Sequence, residues 1–339
     1  MKKTIASLLA TSCVLSACSE KPAPIRITGS STVYPFTAAV ADSFAGKDGN
    51  VHPLVQSAGT IAGMKTFCAG PGAPDLLDAS RRITRDDLAA CTANKVGDVL
   101  EIPIGLDGIA VAEAKSGPKL AVTTKDLYLA LAANPMGKPN SARTWRDVNP
   151  ALPALPIKVL GPPESSGTRA AFVTLLIEPG CLVAMPEAQT LRTSGDPAKF
   201  DMTCSRLRND GAFVSEGEDD NAIVTALKRD PKALGVFGYS YLERNLAQLR
   251  AVPIGGVAPD PTTIANGTYP GVRQLYLYVK KAHMEKKPAI KTFLNLYLDM
   301  AAANGPLARA GLIPLSEKAA ARARQTIEGG FPVEPAALP

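Results

Sequence analysis

The sequence contains very little histidine, with only His52 and His283 among its 339 residues. Neither histidine lies in a recognisable motif, and no two cysteines have the C-x-x-C spacing that is common in zinc sites. Hydrolysis by a serine nucleophile needs a base beside the serine, and this base is usually histidine. The segment "GPPESSG" also lacks the G-x-S-x-G pattern that places a nucleophilic serine on a sharp turn. We therefore predict a protein that is not an enzyme and that holds no metal and no cofactor.

The sequence also lacks a basic block and a long apolar run. Its 37 Lys and Arg residues, against 31 Asp and Glu, are spread along the chain, so nucleic acid is not an expected partner. The apolar stretch from Ile5 to Leu15 is shorter than the roughly 20 residues that a membrane-spanning helix requires. Because Lys2 and Lys3 precede this stretch, we predict that it is a targeting segment.

The targeting segment ends in "LSAC", which places small residues before Cys18. This pattern resembles the lipobox of bacterial lipoproteins, in which the cysteine is acylated and becomes the mature N-terminus. The resemblance implies a signal peptide over residues 1–17, a lipidated tether over residues 18–23 and a membrane anchor on Cys18. The alternative is an ordinary secretory signal with an incidental cysteine. We expect the protein in the cell envelope, on the periplasmic side.

Four cysteines follow Cys18, and they form two local pairs of equal separation. Export places these cysteines in an oxidising compartment, which favours disulfides over free thiols. Four cysteines allow three pairings, and the local pairs make Cys68–Cys91 and Cys181–Cys204 the natural prediction.

Strand-like and helix-like segments alternate along the chain without an internal repeat, which predicts an α/β fold. The length and the 46% hydrophobic content suit a globular protein of two domains. The strand-like segments are "IRITGSS", "VLEIPIGLDGIAVAEA", "IKVLGPP", "ALGVFGYSY" and "QLYLYVKK". A helix is predicted from Ala289 to Ala303, with Ile290, Phe293, Leu294 and Leu298 at helical spacing.

Three times, a strand-like segment leads into a turn of hydroxyl residues and glycine that opens a helix. The turns contain, in order, Ser31 with Thr32, Thr60, and Ser166 with Gly167 and Thr168. The first-turn amides of a helix have no partner inside the helix and carry a partial positive charge. The pattern therefore favours binding of an oxyanion, although serine and threonine are also ordinary helix caps.

Two arginines lie beside the predicted oxyanion turns. Arg81 occurs in "DASRRIT", and Arg169 directly follows Thr168. A guanidinium offers a planar fork of donors that fits a tetrahedral oxyanion well. We expect these two residues to supply the positive charge of the site.

Several longer segments resemble, in the same order, those of bacterial extracytoplasmic phosphate-binding proteins, the capture components of phosphate ABC importers. The segments are "GSSTVYPF", "SAGTIAGMKTFCAG", "DASRRI", "WRDVNP", "GPPESSGTR", "DPKALGVFGYSYLERN" and "GTYPGVRQLYLYV". The resemblance implies the type II periplasmic-binding-protein fold, in which two α/β lobes joined by two crossover strands bury a ligand between them. We place one lobe at residues 24–104 and 254–339 and the other at residues 105–253. The crossovers are expected at "VLEIPIG" and near "LRAVPIGG".

The resemblance also assigns the residues that bind phosphate. They are Ser31, Thr32, Thr60, Ser80, Arg81, Ser166, Gly167, Thr168 and Arg169. The best-known members of the family have an arginine where this chain has Pro162, and an aspartate, which accepts a proton from the ligand, where it has Arg81. Glu164, Asp78 and Asp219 are the candidates for that acceptor in this chain.

The acidic stretch "EGEDDN" is similar to one in the same family, so Asp219 or Asp220 is expected to reach the cleft. We predict a monomeric lipoprotein that captures inorganic phosphate and delivers it to a phosphate ABC permease. The missing aspartate keeps another tetrahedral oxyanion, such as sulfate or molybdate, as the alternative ligand. A serine hydrolase with Ser166 as nucleophile and a purely structural lipoprotein or adhesin are less favoured alternatives.

Overall fold

The computed structural model describes residues 23–47, 50–193 and 196–338. The predicted signal peptide and the predicted lipidation site Cys18 lie outside the described residues. Over the described residues the strands are β1 (Arg26–Gly29), β2 (Leu54–Ser57), β3 (Leu76–Ala79), β4 (Val99–Ala114), β5 (Val159–Gly161), β6 (Phe213–Ser215), β7 (Leu234–Gly238), β8 (Leu249–Ala251) and β9 (Val272–Lys280).

The helices lie mainly between the strands. They are α1 (Tyr34–Ala45), α2 (Thr60–Phe67), α3 (Arg85–Ala93), α4 (Thr124–Leu131), α5 (Trp145–Val148), α6 (Gly167–Phe172), α7 (Glu178–Ala184), α8 (Ala188–Thr193), α9 (Pro197–Phe200), α10 (Asp220–Arg229), α11 (Tyr239–Arg244), α12 (Pro261–Ala265), α13 (Lys281–Lys286), α14 (Ala289–Met300), α15 (Pro306–Arg309) and α16 (Glu317–Gly329). Single π-helical turns at Val173–Ile177 and Asp201–Ser205 follow α6 and α9, and short 3₁₀ turns occur at Pro135–Gly137 and Pro335–Ala337.

The strands form a mixed sheet in the order β2-β1-β3-β9-β4-β7-β5-β6, with β8 paired to the end of β4. Strand β1 is parallel to β2 and β3, and β5 is parallel to β6 and β7. The long strands β4 and β9 are antiparallel to each other and connect these two parallel groups. We call the part built on β1, β2 and β3 the first half and the part built on β5, β6 and β7 the second half.

Each half has its own hydrophobic core, as the predicted α/β architecture requires. The first-half core contains Leu275, Leu277 and Val279 from one face of β9, together with residues of α1, α14 and α16. The second-half core contains Ile109 and Val111 from the later part of β4, packed with residues of β5, β7, α4 and α10. The predicted helix at Ala289 is present as α14 and packs on the first half.

The residue bounds of the two lobes stay a prediction, and the packing supports one adjustment to them. The predicted first crossover, residues 99–105, is the beginning of β4, which runs from one core into the other. Near the predicted second crossover, residues 249–256, Ile254 still packs in the second-half core, and so does Tyr269. We propose that β9 is the second crossover, because Leu275 is already part of the first-half core.

Two strand predictions differ from the structure in extent. The stretch "VLEIPIGLDGIAVAEA", which was expected as two strand-like pieces, is the single strand β4 with an irregularity between Pro103 and Gly105. The stretch "ALGVFGYSY" is strand only as far as Gly238, because Tyr239 begins α11. Strand β4 stays continuous because β9 and then β7 pair along it, whereas β7 ends at Gly238, which is its last residue paired with β4.

Both predicted disulfides are present. Cys68–Cys91 joins the end of α2 to α3 within the first half, with a Cα–Cα distance of 4.3 Å. Cys181–Cys204 joins α7 to the π-helical turn at 201–205 within the second half, with a Cα–Cα distance of 5.3 Å. Neither disulfide connects the two halves, so neither restricts movement of one half relative to the other.

Among the described residues, the helical run Gly167–Ala184 is long and apolar enough to cross a membrane by length and composition alone. Phe172, Leu176 and Ile177 on this run are fully buried in the second-half core. The run therefore packs as a core helix of the fold.

A close approach of backbones fixes α2 against β1. A Cβ atom at Gly63 of α2 would lie 2.5 Å from the Cα of Gly29, the last residue of β1. Only a residue without a side chain allows this contact. The helix start at Thr60 is therefore held in position by Gly63, one turn further along α2.

We expect Gly63→Ala to lower the free energy of unfolding by about 1–3 kcal/mol, because the added methyl group overpacks this contact. Urea-induced unfolding followed by circular dichroism measures the change. The matched control is Gly72→Ala, since a Cβ at Gly72 would meet nothing within 4 Å. Equal stability of the two variants would contradict this account of α2 packing.

Candidate functional site

The turn between β1 and α1 presents the first hydroxyl of the predicted site. The backbone amides of Thr32 and Val33 donate to Ser30 Oγ at 3.2 and 3.3 Å, which closes the turn tightly. The backbone amide of Ser30 donates to the carbonyl of Asp78 at 3.0 Å and so ties the turn to β3. Ser30 therefore shapes the turn, while the side chain of Thr32 is left to point toward the second half.

The turns after β2 and β3 bring Thr60 and Ser80 together. Gly59, with φ of 80°, precedes α2 and reverses the chain so that Thr60 begins the helix. Thr60 Oγ1 lies 2.9 Å from Ser80 Oγ and accepts from the Ser80 amide at 3.2 Å. Two hydroxyls from separate segments of the first half thus form one pair.

The start of α6 places residues of the second half in contact with these hydroxyls. Ser166 caps α6 by accepting from the Thr168 amide at 3.1 Å. Thr168 Oγ1 lies 2.8 Å from Thr32 Oγ1. A Cβ at Gly167 would lie 2.4 Å from Ser80 Oγ, so the two halves meet closely at this glycine.

The structure therefore brings four predicted hydroxyls from four segments into one buried cluster. We call it the hydroxyl cluster; its members are Thr32, Thr60, Ser80 and Thr168. Each member is at most 1% exposed. Ser31 lies at the edge of the cluster and is 7% exposed. Such a set of buried, uncharged donors beside three helix starts is suited to holding an oxyanion through directional hydrogen bonds.

The structure does not bring the two predicted arginines to the hydroxyl cluster. Arg81 donates to Asp87 at 2.7 Å and to the carbonyl of Arg82, because α3 begins just beyond it with an acidic first turn. Arg169 lies over the ring of Phe213, with its guanidinium carbon 4.5 Å from the ring centre. Both side chains are occupied by neighbours outside the cluster.

The positive charge at the cluster comes from Arg273, which is not among the site residues predicted from the sequence. Its Nη2 donates to Thr32 Oγ1 at 3.0 Å and to Thr168 Oγ1 at 3.2 Å. Its Nη2 and Nε also donate to Asp107 Oδ2 at 2.7 and 3.0 Å. A signal was present, since Arg273 continues the buried face of β9 that Leu275 and Leu277 define.

A second buried carboxyl group, Asp220, lies near this ion pair. Asp220 begins α10 and is 1% exposed. Over the residues that the structure describes, neither of its carboxylate oxygens has a hydrogen-bond partner of normal geometry. Burial raises the pKa of Asp220 to about 7, although the nearby Arg273 guanidinium lowers it. Of the two residues expected to reach the cleft, Asp219 lines a cavity whose walls come from both halves, and Asp220 is buried near Arg273 and Asp107.

The three residues considered as proton acceptors have different surroundings. The Glu164 side chain is 90% exposed. Asp219 caps α10 by accepting from the Asn221 amide at 2.9 Å. Asp78 is fully buried and accepts from the Thr37 hydroxyl at 2.8 Å, and burial raises its pKa to about 7. The backbone carbonyl of Asp78 accepts from the Ser30 amide, so Asp78 helps to hold the β1–α1 turn in position.

A cavity of about 850 Å³ opens beside the hydroxyl cluster. Its walls come from both halves and include Ser31, Tyr34, Ser57, Glu218, Asn221, Tyr241 and Arg244. Ser31 belongs both to this wall and to the turn that carries Thr32. The cavity therefore adjoins the turn that carries Thr32.

Known proteins resemble this chain in sequence and in fold. Residues 16–299 match the profile of the PBP superfamily domain. Protein SphX of Synechococcus elongatus is 31% identical over 91% of this chain and 82% of its own length. The phosphate-binding protein PstS of Staphylococcus saprophyticus is 26% identical over 81% of this chain and 76% of its own. The crystal structure of a possible phosphate binding protein from Planctomyces limnophilus is 27% identical, covers 92% of this chain and 100% of its own, and has a TM-score of 0.60.

The chain belongs to the PBP superfamily of extracytoplasmic substrate-binding proteins, in the group that includes phosphate-binding proteins. The predicted type II periplasmic-binding-protein fold is confirmed by these matches. The prediction that the chain is not an enzyme also agrees with its relatives, which form a non-enzymatic family.

The raised pKa of Asp220 has a consequence for stability. Its folded-state pKa of about 7 exceeds the usual 3.8, so its contribution is complete below about pH 4 and is lost as the pH rises through about 7. As the pH rises from about 4 to about 7, the wild type loses this contribution and Asp220→Asn does not. We therefore expect the unfolding free energy of the variant to rise by roughly 1–3 kcal/mol relative to that of the wild type over this pH range. Urea unfolding at pH 4, 5.5, 7 and 8 measures the difference.

The matched control for this measurement is Asp219→Asn, which changes the exposed neighbour and keeps a good helix cap. We expect the control to retain the pH dependence of the wild type. A wild type and an Asp220→Asn variant with parallel stability curves from pH 4 to 8 would show that Asp220 is not a buried, uncompensated acid.

Proposed function

We propose that the protein captures inorganic phosphate between its two halves and delivers it to an ABC importer. One observation carries this proposal: the hydroxyls of Thr32, Thr60, Ser80 and Thr168 converge in a buried cluster that includes residues of both halves. The PstS relative is named as a phosphate-binding protein, and the proposal extends that ligand to this chain.

The chemistry of the cluster suits a small tetrahedral anion. Hydrogen bonds from neutral donors to an anion are stronger than those between neutral groups, and they retain their strength in a site that excludes water. The hydroxyls pair with each other, Thr32 with Thr168 and Thr60 with Ser80. On binding, the hydroxyl that donates within each pair would turn its hydrogen to a phosphate oxygen, and the hydroxyl that accepts would donate its own free hydrogen to the ligand.

The buried carboxyl group of Asp220 supports phosphate over sulfate. Phosphate at neutral pH carries a proton that it can donate, whereas sulfate carries none. In its ionised form, the Asp220 carboxylate near the Arg273–Asp107 pair would accept that proton from phosphate and would disfavour a fully ionised anion. Sulfate and molybdate stay the alternative ligands, and the same titration distinguishes them.

We expect Thr32→Val, Thr60→Val and Thr168→Val each to weaken phosphate binding by about 10-fold or more, because each loses a hydrogen bond to a charged ligand. Valine keeps the branched shape of threonine, so the fold should be retained. Calorimetric titration of the wild type and the variants with inorganic phosphate measures the loss.

The control is Thr66→Val on α2, where the hydroxyl is exposed and donates to the carbonyl of Ala62. Its affinity for phosphate should equal that of the wild type. The phosphate proposal fails if the wild type does not bind phosphate, or if it binds sulfate with equal affinity. Unchanged affinity in all three cluster variants would support a structural role for the hydroxyls.

We propose that the mature protein is held at the membrane by lipid on Cys18. The sequence "LSAC" supports this proposal. Between Cys18 and Ile25, "SEKPAP" leaves a short polar tether. The anchor keeps the capture protein close to the importer that receives its ligand.

We expect Cys18→Ala to move the full-length protein from the membrane fraction to the soluble periplasmic fraction, because no thiol remains for acylation. Fractionation and mass measurement of the N-terminal peptide test this. The control is Cys13→Ala, which lies within the predicted signal peptide and should leave fractionation unchanged. Unaltered membrane association of Cys18→Ala would show that lipid on this residue is not the anchor.

A further inference from the structure

The ion pair of Arg273 and Asp107 lies where the chain passes from one half to the other. The two residues are direct partners across β4 and β9. Two residues further along β9, Leu275 packs in the first-half core, and two residues further along β4, Ile109 packs in the second-half core. The pair therefore occupies the boundary between the two cores, on the two strands that connect them.

Each member of the pair is hydrogen-bonded to segments that movement of the halves would separate. Arg273 Nη2 contacts Thr32 of the first half and Thr168 of the second half. Asp107 Oδ1 accepts from the backbone amide of Tyr239 at 3.0 Å, at the start of α11 in the second half. The position of the guanidinium is consequently set by both halves together.

One donor of this guanidinium is left without a partner. Arg273 Nη1 is buried and has no hydrogen bond to any residue in the described ranges 23–47, 50–193 and 196–338. Leaving a buried charged donor unpaired is costly, and native structures rarely do so without a ligand. The side chain is only 4% exposed, so bulk water does not satisfy this nitrogen.

A second ion pair, between Glu113 on β4 and Arg250 on β8, shows an arginine whose donors all have partners. Arg250 donates through Nε to Glu113, through Nη1 to the carbonyl of Lys115 and through Nη2 to the carbonyl of Gly117. All three nitrogens of Arg250 have acceptors within the protein. The unpaired Nη1 therefore distinguishes Arg273 from an arginine that serves only to hold strands together.

We propose that Arg273 is a direct ligand of the bound anion through Nη1, and that Asp107 is the positioning residue that holds the guanidinium between the two halves. This inference rests on the proposed function and names a residue of the same site. Asp107 offsets the charge of Arg273, and Asp220 is the other acid near the pair. The bound anion thus contacts a single guanidinium whose charge Asp107 already balances. The anion is therefore selected by the positions of the hydrogen-bond donors more than by net charge.

The first test compares Arg273→Gln and Arg273→Lys by calorimetric titration with inorganic phosphate. We expect Arg273→Gln to weaken binding about 100-fold, because a charge-assisted hydrogen bond is lost. Lysine restores the charge without the planar fork, so Arg273→Lys should recover only part of the loss. Arg250→Gln is the matched control and should bind phosphate as the wild type does.

Because removal of one partner of a buried ion pair can unfold a protein, the second test removes both charges together. The double variant Asp107→Leu/Arg273→Met replaces the pair with apolar side chains, and thermal unfolding checks that it is folded. We expect a folded protein that binds phosphate at least 100-fold more weakly than the wild type. A folded double variant with wild-type affinity would overturn the proposal.

The role of Asp107 is tested by the ratio of phosphate to sulfate affinity in Asp107→Asn. We expect this variant to bind sulfate relatively better than the wild type does, since the charge of Arg273 is no longer offset. An unchanged ratio would overturn the positioning role. If the wild type binds no phosphate, the proposed function itself fails; if it binds phosphate and Arg273→Gln binds within threefold of it, only the role of Arg273 fails.

Discussion

A guanidinium group buried between two halves of a protein has to be neutralised and hydrogen-bonded, and this requirement organises the site. Asp107 on the neighbouring strand and one hydroxyl from each half meet this requirement for Nε and Nη2 of Arg273, and Nη1 is left for a further partner. Because β4 and β9 carry the pair, the two connecting strands are held in one register where they pass between the cores. The hydroxyl cluster can form only because these strands bring the starts of α1 and α6 within hydrogen-bond distance.

The local parts of this arrangement were predictable from the sequence, because they depend on neighbours along the chain. A serine or threonine after a strand and before a helical pattern indicates a helix start wherever it occurs. This pattern predicts the helix starts at Thr60 and Ser166–Thr168, and in the structure Thr60 begins α2 while Ser166 caps α6 and Thr168 lies in its first turn. The β9 alternation likewise predicted which residues enter the first-half core, since side chains on a strand face alternate sides.

The positions of the arginines were not predictable in this way, because a long side chain can reach several alternative partners, both near and far along the chain. Arg81 is drawn to Asp87, and Arg169 to the ring of Phe213, which is 44 residues away along the chain. Arg273 lies 241 residues from Thr32, and its selection requires knowledge of strand pairing across the whole sheet. An arginine on the apolar face of a strand was nevertheless a usable sign, since an unpaired charge is not tolerated there.

The balance of charge at the site explains why it uses hydroxyls in preference to several cations. Arg273 and Asp107 cancel each other, and burial raises the pKa of Asp220 to about 7, so that it is partly neutral near physiological pH. A surplus of fixed positive charge would be costly to bury and would attract every small anion alike. Neutral donors avoid both effects, because their hydrogen bonds depend on where the anion's oxygens lie. If the site binds phosphate as proposed, its affinity comes from the orientation of these donors.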